Sequence, residues 1–170
     1  MKSLRLALAT LAAFFFLAST FAAAGSPGAR ATDPSWDRLK TLVGSWTGTA
    51  AGEPVAVSYK LVSNGTALME MLDGHHDAHM ITMYTPDGAT LLATHYCAAG
   101  NQPRMRAKAS PDGRSLDFQF VDVSNAPGAN EIMQRLVVTF VDANHFEQAW
   151  TSRATDGTEH TLVFRYTRKA

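Results

Sequence analysis

From residue 45 onward the apolar residues recur at every second position in short runs, the period of a pleated strand with one face in a core. Runs near 45–50, 55–62, 67–72, 78–84, 90–97, 104–109, 115–121, 132–141, 145–152 and 159–168 are rich in β-branched and aromatic residues and predict ten strands. Between them lie Asn64-Gly65, Pro86-Asp87-Gly88, Pro111-Asp112-Gly113, Asp142-Ala143-Asn144 and Asp156-Gly157, which is hairpin-turn chemistry. No helical pattern separates these runs, so an antiparallel up-and-down meander is expected. Closing it into a β-barrel removes the exposed edge strands. Ahead of the strands, Trp36, Leu39 and Val43 fall at helical spacing behind Pro34 and a Ser35 cap, predicting one short N-terminal helix.

Alternation also assigns faces. Val55, Val57, Tyr59 and Leu61 share one side, as do Leu116, Phe118 and Phe120, Phe146, Gln148 and Trp150, and His160, Leu162, Phe164 and Tyr166. Met105, Ala107 and Ala109 oppose Arg104, Arg106 and Lys108, giving that strand a solvated face. A slip of one residue would invert each set.

Residues 1–24 carry Lys2 and Arg5, an uncharged apolar run from Leu6 to Phe21, and Ala22-Ala23-Ala24 before Gly25. That order is the order of a secretory signal peptide, with an apolar run short for a membrane span. Cleavage after Ala24 would leave a linker over 25–34, a barrel domain over 35–170, and no membrane span in the mature protein. Periplasmic or secreted localisation is the expectation. Of the 15 Lys and Arg, two fall within 1–24, which leaves 13 against 15 Asp and Glu, a net charge of −2. Near-neutrality gives no electrostatic case for nucleic acid. Cys97 is the single cysteine, so no intramolecular disulfide can form.

Leu42-Val43-Gly44-Ser45-Trp46-Thr47-Gly48-Thr49 places Gly-x-Trp-x-Gly after the helix. This resembles the opening of calycin barrels, which implies a Trp packed across the barrel bottom and glycines that let the first strand bend. Thr94-His95-Tyr96-Cys97-Ala98-Ala99-Gly100-Asn101-Gln102-Pro103-Arg104-Met105, with Phe164-Arg165-Tyr166-Thr167-Arg168-Lys169, resembles an exported bacterial lipocalin-like family of unknown function. That resemblance implies a fold and no activity. Nitrobindin-type haem barrels share the Gly-x-Trp-x-Gly opening with a further glycine where this chain has Ala50. The resemblance is partial and implies His160 as a haem ligand.

Three groups could carry chemistry. His95 and Cys97, inward with Leu91 and Ala93, stand beside Asn101, Gln102 and Arg104, which could meet a ligand at the barrel mouth or serve as a tight turn satisfying its own backbone. His95 and Cys97 as base and nucleophile would be roughly 7 Å apart at the Cα atoms, with no evident oxyanion hole. Met69, Met71, Met80 and Met83 with His75, His76, Asp77 and His79 could suit copper or zinc, but core-filling methionines and a surface loop without function are the cheaper reading. Glu70, Gln148 and His160 point into the barrel by register and must bond one another or line a cavity. No phosphate loop, nucleophile elbow, His-Glu-x-x-His or Cys-x-x-Cys motif occurs.

The reading that joins these observations is an exported, all-β barrel of about ten strands that binds a small, mostly apolar molecule in its interior. Trp46, His95, Asn101, Gln102, Arg104, Gln148, Trp150 and His160 are the expected ligand-binding residues. A haem- or transition-metal-binding barrel is the first alternative, and an enzyme using His95, Cys97 or Glu70 the second. The cofactor is left open.

Overall fold

Ten strands run in chain order around a closed antiparallel barrel in the computed structural model, which describes residues 34–73 and 79–170. They are β1 (Gly44–Ala50), β2 (Glu53–Val62), β3 (Ala67–Asp73), β4 (His79–Asp87), β5 (Thr90–Tyr96), β6 (Gln102–Ala109), β7 (Ser115–Ser124), β8 (Glu131–Phe140), β9 (His145–Ala154) and β10 (Glu159–Arg168). Each pairs with its sequence neighbour, and β10 pairs with β1, so no edge is left open. The up-and-down barrel expected from the alternation is the fold observed. Residues 1–33, with the leader and linker readings, and residues 74–78, which include His75, His76 and Asp77, lie outside the described residues.

Helix α1 (Pro34–Lys40) buries Trp36 and Leu39 at one end of the barrel. Pro34 stands inside the helix, where its fixed φ suits a first turn and its missing N–H costs no bond. Leu42 takes the place expected for Val43: Leu42 is 2% exposed and Val43 40%. The helix has already ended at Lys40, so a spacing carried on to Val43 misassigns the turn.

The opening motif has a physical basis in the β1–β10 seam. A Cβ on Gly48 would lie 1.9 Å from the Arg165 carbonyl oxygen, so only glycine lets the two backbones approach this closely. Trp46 is buried near this end, where Nε1 donates to the Leu42 carbonyl at 2.7 Å and the ring meets Phe146 edge-on at 4.7 Å. Arg168 lays its guanidinium over the same ring at 4.0 Å and donates to the Val43 and Thr41 carbonyls, tying the end of the barrel to the helix turn.

Facing follows the alternation along most strands, but three large apolar residues of the assigned sets, Leu61, Phe120 and Leu162, are exposed. Leu116 and Phe118 are buried but Phe120 is 37% exposed, although it is in register with the fully buried Met105; the β6–β7 ladder shifts just beyond that pair. Leu61 is also exposed, near the end of β2. On the solvated face, Arg104 pairs with Asp122, Arg106 with Asp87 and Arg135 with Asp117. Exposed pairs of this kind add little stability each.

Candidate functional site

A polar row crosses four neighbouring strands inside the barrel. Tyr59 on β2 is in register with Glu70 on β3, Glu70 with Thr82 on β4, and Thr82 with His95 on β5. Polar side chains in an apolar core must satisfy one another. Glu70 Oε2 accepts from the Tyr84 hydroxyl at 2.6 Å and from Gln148 Nε2 at 2.9 Å. Gln148 Nε2 also donates to the Tyr59 hydroxyl at 2.9 Å, while Trp150 Nε1 donates to Gln148 Oε1 at 3.3 Å. Burial pushes the Glu70 carboxyl above the usual carboxylate range, against the hydrogen bonds from Tyr84, Tyr59 and Gln148 that pull it down. The Tyr59 and Tyr84 phenols are driven well up, first by burial and then by the neighbouring Glu70.

His95 ends this row. Its Nδ1 shares a hydrogen bond with Thr82 Oγ1 at 2.9 Å, and its ring lies 4.6 Å from that of Trp150. Burial alone pulls its pKa from 6.5 down to about 4, so the imidazole is neutral at physiological pH. Nε2 is buried without a hydrogen-bond partner.

His95 and Trp150 line a cavity of about 370 Å³ at the end of the barrel opposite α1. Its apolar wall is built by Leu72, Met80, Met133, Trp150, Leu162 and Phe164. Glu131, Ser152, His160 and Thr161 add polar groups from the beginnings of β8 and β10 and the end of β9. Ser152 Oγ bonds Glu131 Oε1, which fixes that carboxyl against the wall. A concave, mostly apolar site with a few convergent polar groups is the usual form of a small-molecule pocket.

Of the residues expected to bind ligand, His95, Trp150 and His160 line this cavity, and the other five do not. Trp46 is packed near the helix-covered end. Gln148 is spent on the internal network through Tyr59, Glu70 and Trp150. Asn101 is fully buried and donates through Nδ2 to the Glu131 carbonyl at 3.1 Å, linking the β5–β6 turn to the start of β8. Gln102 donates to the Gly100 carbonyl of its own turn, and Arg104 is held by Asp122 on the outer surface. Both therefore serve the turn and the sheet.

Glu70 and Gln148 bond each other, whereas His160 faces the cavity; the two outcomes open for these inward polar groups are divided between them. Cys97 falls beyond the end of β5, half-buried, its backbone N–H donating to the Asn101 carbonyl, and it does not line the cavity. His79 bonds Asp73 through Nδ1 at 3.0 Å, Met80 lines the cavity, and Met71 is exposed. Among the described residues no group of three or more His, Cys, Asp or Glu could hold a metal ion. The sequence reading does not single out Leu72, Met133, Ser152 and Glu131 as cavity residues; the signal available is that all four stand near strand ends at one end of the barrel.

No family model and no curated protein matches the chain. Among solved structures it is similar to Rv2717c from M. tuberculosis at 16% identity and a TM-score of 0.61, over 81% of this chain and 98% of that one. That likeness supports the barrel fold. A redesigned β-barrel, b11L5F_LGL, aligns at a TM-score of 0.36 and 16% identity over 77% of this chain and 94% of its own, which carries no argument.

Proposed function

We propose that this chain is an exported barrel that binds a small, mostly apolar ligand in the cavity at the end opposite α1. The observation that carries the reading is the cavity itself: about 370 Å³ with an apolar wall of Leu72, Met80, Met133 and Phe164, joined by two aromatic faces, Trp150 and His95. A closed barrel of this size commonly has room for one small molecule. Burying an apolar ligand there releases roughly 25 cal/mol for each Å² of apolar surface removed from water.

Titration with N-phenyl-1-naphthylamine, whose fluorescence rises in apolar surroundings, tests this reading. Saturable one-to-one binding with energy transfer from Trp150 is expected, weakened at least tenfold by Ser152→Phe, which puts a ring into the cavity. A response identical in the folded Ser152→Phe protein would remove the cavity as the site.

A second reading, haem binding, is favoured by one observation, that His160 is among the residues lining the same cavity. His160 would be the residue to hold a haem iron there and the apolar wall would take the porphyrin, and the group would supply a redox-active iron centre. The volume lies near the lower end of the ~300–1,000 Å³ span of small-molecule pockets, which favours the smaller ligand. A Soret band on adding haem that is lost in His160→Ala would reverse that preference.

A further inference from the structure

The unpartnered Nε2 of His95 restricts what the ligand can be. A buried polar atom without a partner is costly, and its neighbours are already committed: Nδ1 to Thr82, and the ring face to Trp150. The Thr82 hydroxyl can accept from or donate to Nδ1, so its bond allows either tautomer, and Nε2 is an acceptor or a donor accordingly. A hydroxyl group donates and accepts, so it satisfies either. The cavity wall holds no lysine or arginine among the described residues, and its one carboxyl group is Glu131, bonded to Ser152. A carboxylate or sulfonate brought inside would therefore lose its hydration, meet no lysine or arginine of the described wall and face an acidic side chain.

We propose that the ligand is an uncharged, compact apolar molecule bearing a hydroxyl group, a phenol or an alcohol, whose hydroxyl bonds Nε2 of His95. The inference rests on the cavity being the binding site. His95 supplies polar recognition, Trp150 and the aliphatic wall supply affinity, and Glu131 excludes anions. The neutral state of His95 belongs to the same design, since an imidazolium would attract the anions that Glu131 repels.

Three probes of nearly equal shape separate the possibilities: 2-naphthol, 2-methylnaphthalene and 2-naphthoate, each competing with N-phenyl-1-naphthylamine at pH 7.5. Partition into an apolar phase alone ranks 2-methylnaphthalene first. The proposal ranks 2-naphthol first, about tenfold tighter than 2-methylnaphthalene, because one partner is restored to a buried polar atom, and it ranks 2-naphthoate last. In His95→Phe the naphthol advantage disappears, while Glu131→Gln strengthens 2-naphthoate severalfold. Nitrogen NMR of the unaltered protein labelled at histidine gives an independent readout: Nε2 of His95 shifts with 2-naphthol and not with 2-methylnaphthalene. If 2-methylnaphthalene binds as tightly as 2-naphthol, or if 2-naphthoate binds best, the hydroxyl reading is overturned while the cavity reading stands. If the fluorescent probe and all three competitors fail to bind the folded protein, the cavity reading falls and this inference falls with it.

Discussion

Replacing His95 by Phe should flatten the dependence of stability on pH between 7 and 4. The wild-type imidazole is 3% exposed, and burial lowers its pKa from 6.5 in the unfolded chain to about 4 in the barrel. A basic group with a depressed folded pKa favours unfolding at low pH, because the unfolded chain takes up the proton first. Its contribution is therefore flat above pH 6.5, worsens as pH falls toward 4, and is flat again below. At about 1.4 kcal/mol per pH unit, the loss amounts to about 2 kcal/mol at pH 5 and about 3 kcal/mol at pH 4. With a urea m-value of about 2 kcal/mol per molar, the midpoint falls by about 1 M between pH 7 and pH 5 from this residue alone. Urea unfolding followed by tryptophan fluorescence at each pH measures it. His95→Phe shifts the whole curve by whatever it changes in packing against Trp150 and Thr82, but that offset does not vary with pH. Wild-type and variant midpoints that stay parallel from pH 7 to pH 4 would refute the claim that His95 is buried and neutral.

Other residues of the same structure give sharp expectations. Glu70→Leu leaves the Tyr84 hydroxyl and Gln148 Nε2 without their shared acceptor and should cost about 3 kcal/mol in urea unfolding. Glu70→Gln should instead show a pH trend: a carboxyl raised by burial contributes fully below its unfolded pKa of 4.5 and loses that contribution as pH rises through its folded value, so wild type weakens relative to the variant as pH rises above 4.5. Gly48→Ala must push β1 away from the Arg165 carbonyl and should lower the melting temperature by more than 5 °C, or prevent folding, as read by circular dichroism. Arg168→Ala removes the guanidinium from Trp46 and two bonds to the Thr41–Val43 turn; a loss of about 1–2 kcal/mol is expected, with a change in the near-ultraviolet tryptophan signal.

The barrel was legible because its strands alternate and its turns carry Pro-Asp-Gly, Asn-Gly and Asp-Gly, signals that are local in the chain. Small errors arose where geometry is set by partners. Phe120 is exposed next to the shift in the β6–β7 ladder, and the end of the helix at Lys40 hands the core position to Leu42. The inward direction of His95 was also legible, from its alternation with Leu91 and Ala93. Its significance was not, because the Thr82 hydroxyl and Trp150 ring that hold it come from other strands. Gln148 and Glu70 show the same limit more clearly: they are 78 residues apart, and no local pattern says that their side chains meet. Asn101, Gln102 and Arg104 stand near one another in sequence, yet the fold sends one to the Glu131 backbone, one to its own turn and one to the outer surface.

Native mass spectrometry with neutral lipophiles tests the central claim most directly, using the purified chain and, in parallel, folded Ser152→Phe. The account predicts one bound molecule per wild-type chain, lost on denaturation and absent from the variant whose cavity is filled. A folded wild-type barrel that carries no ligand and takes up none of the neutral probes, or a Ser152→Phe barrel that binds them equally well, would contradict it.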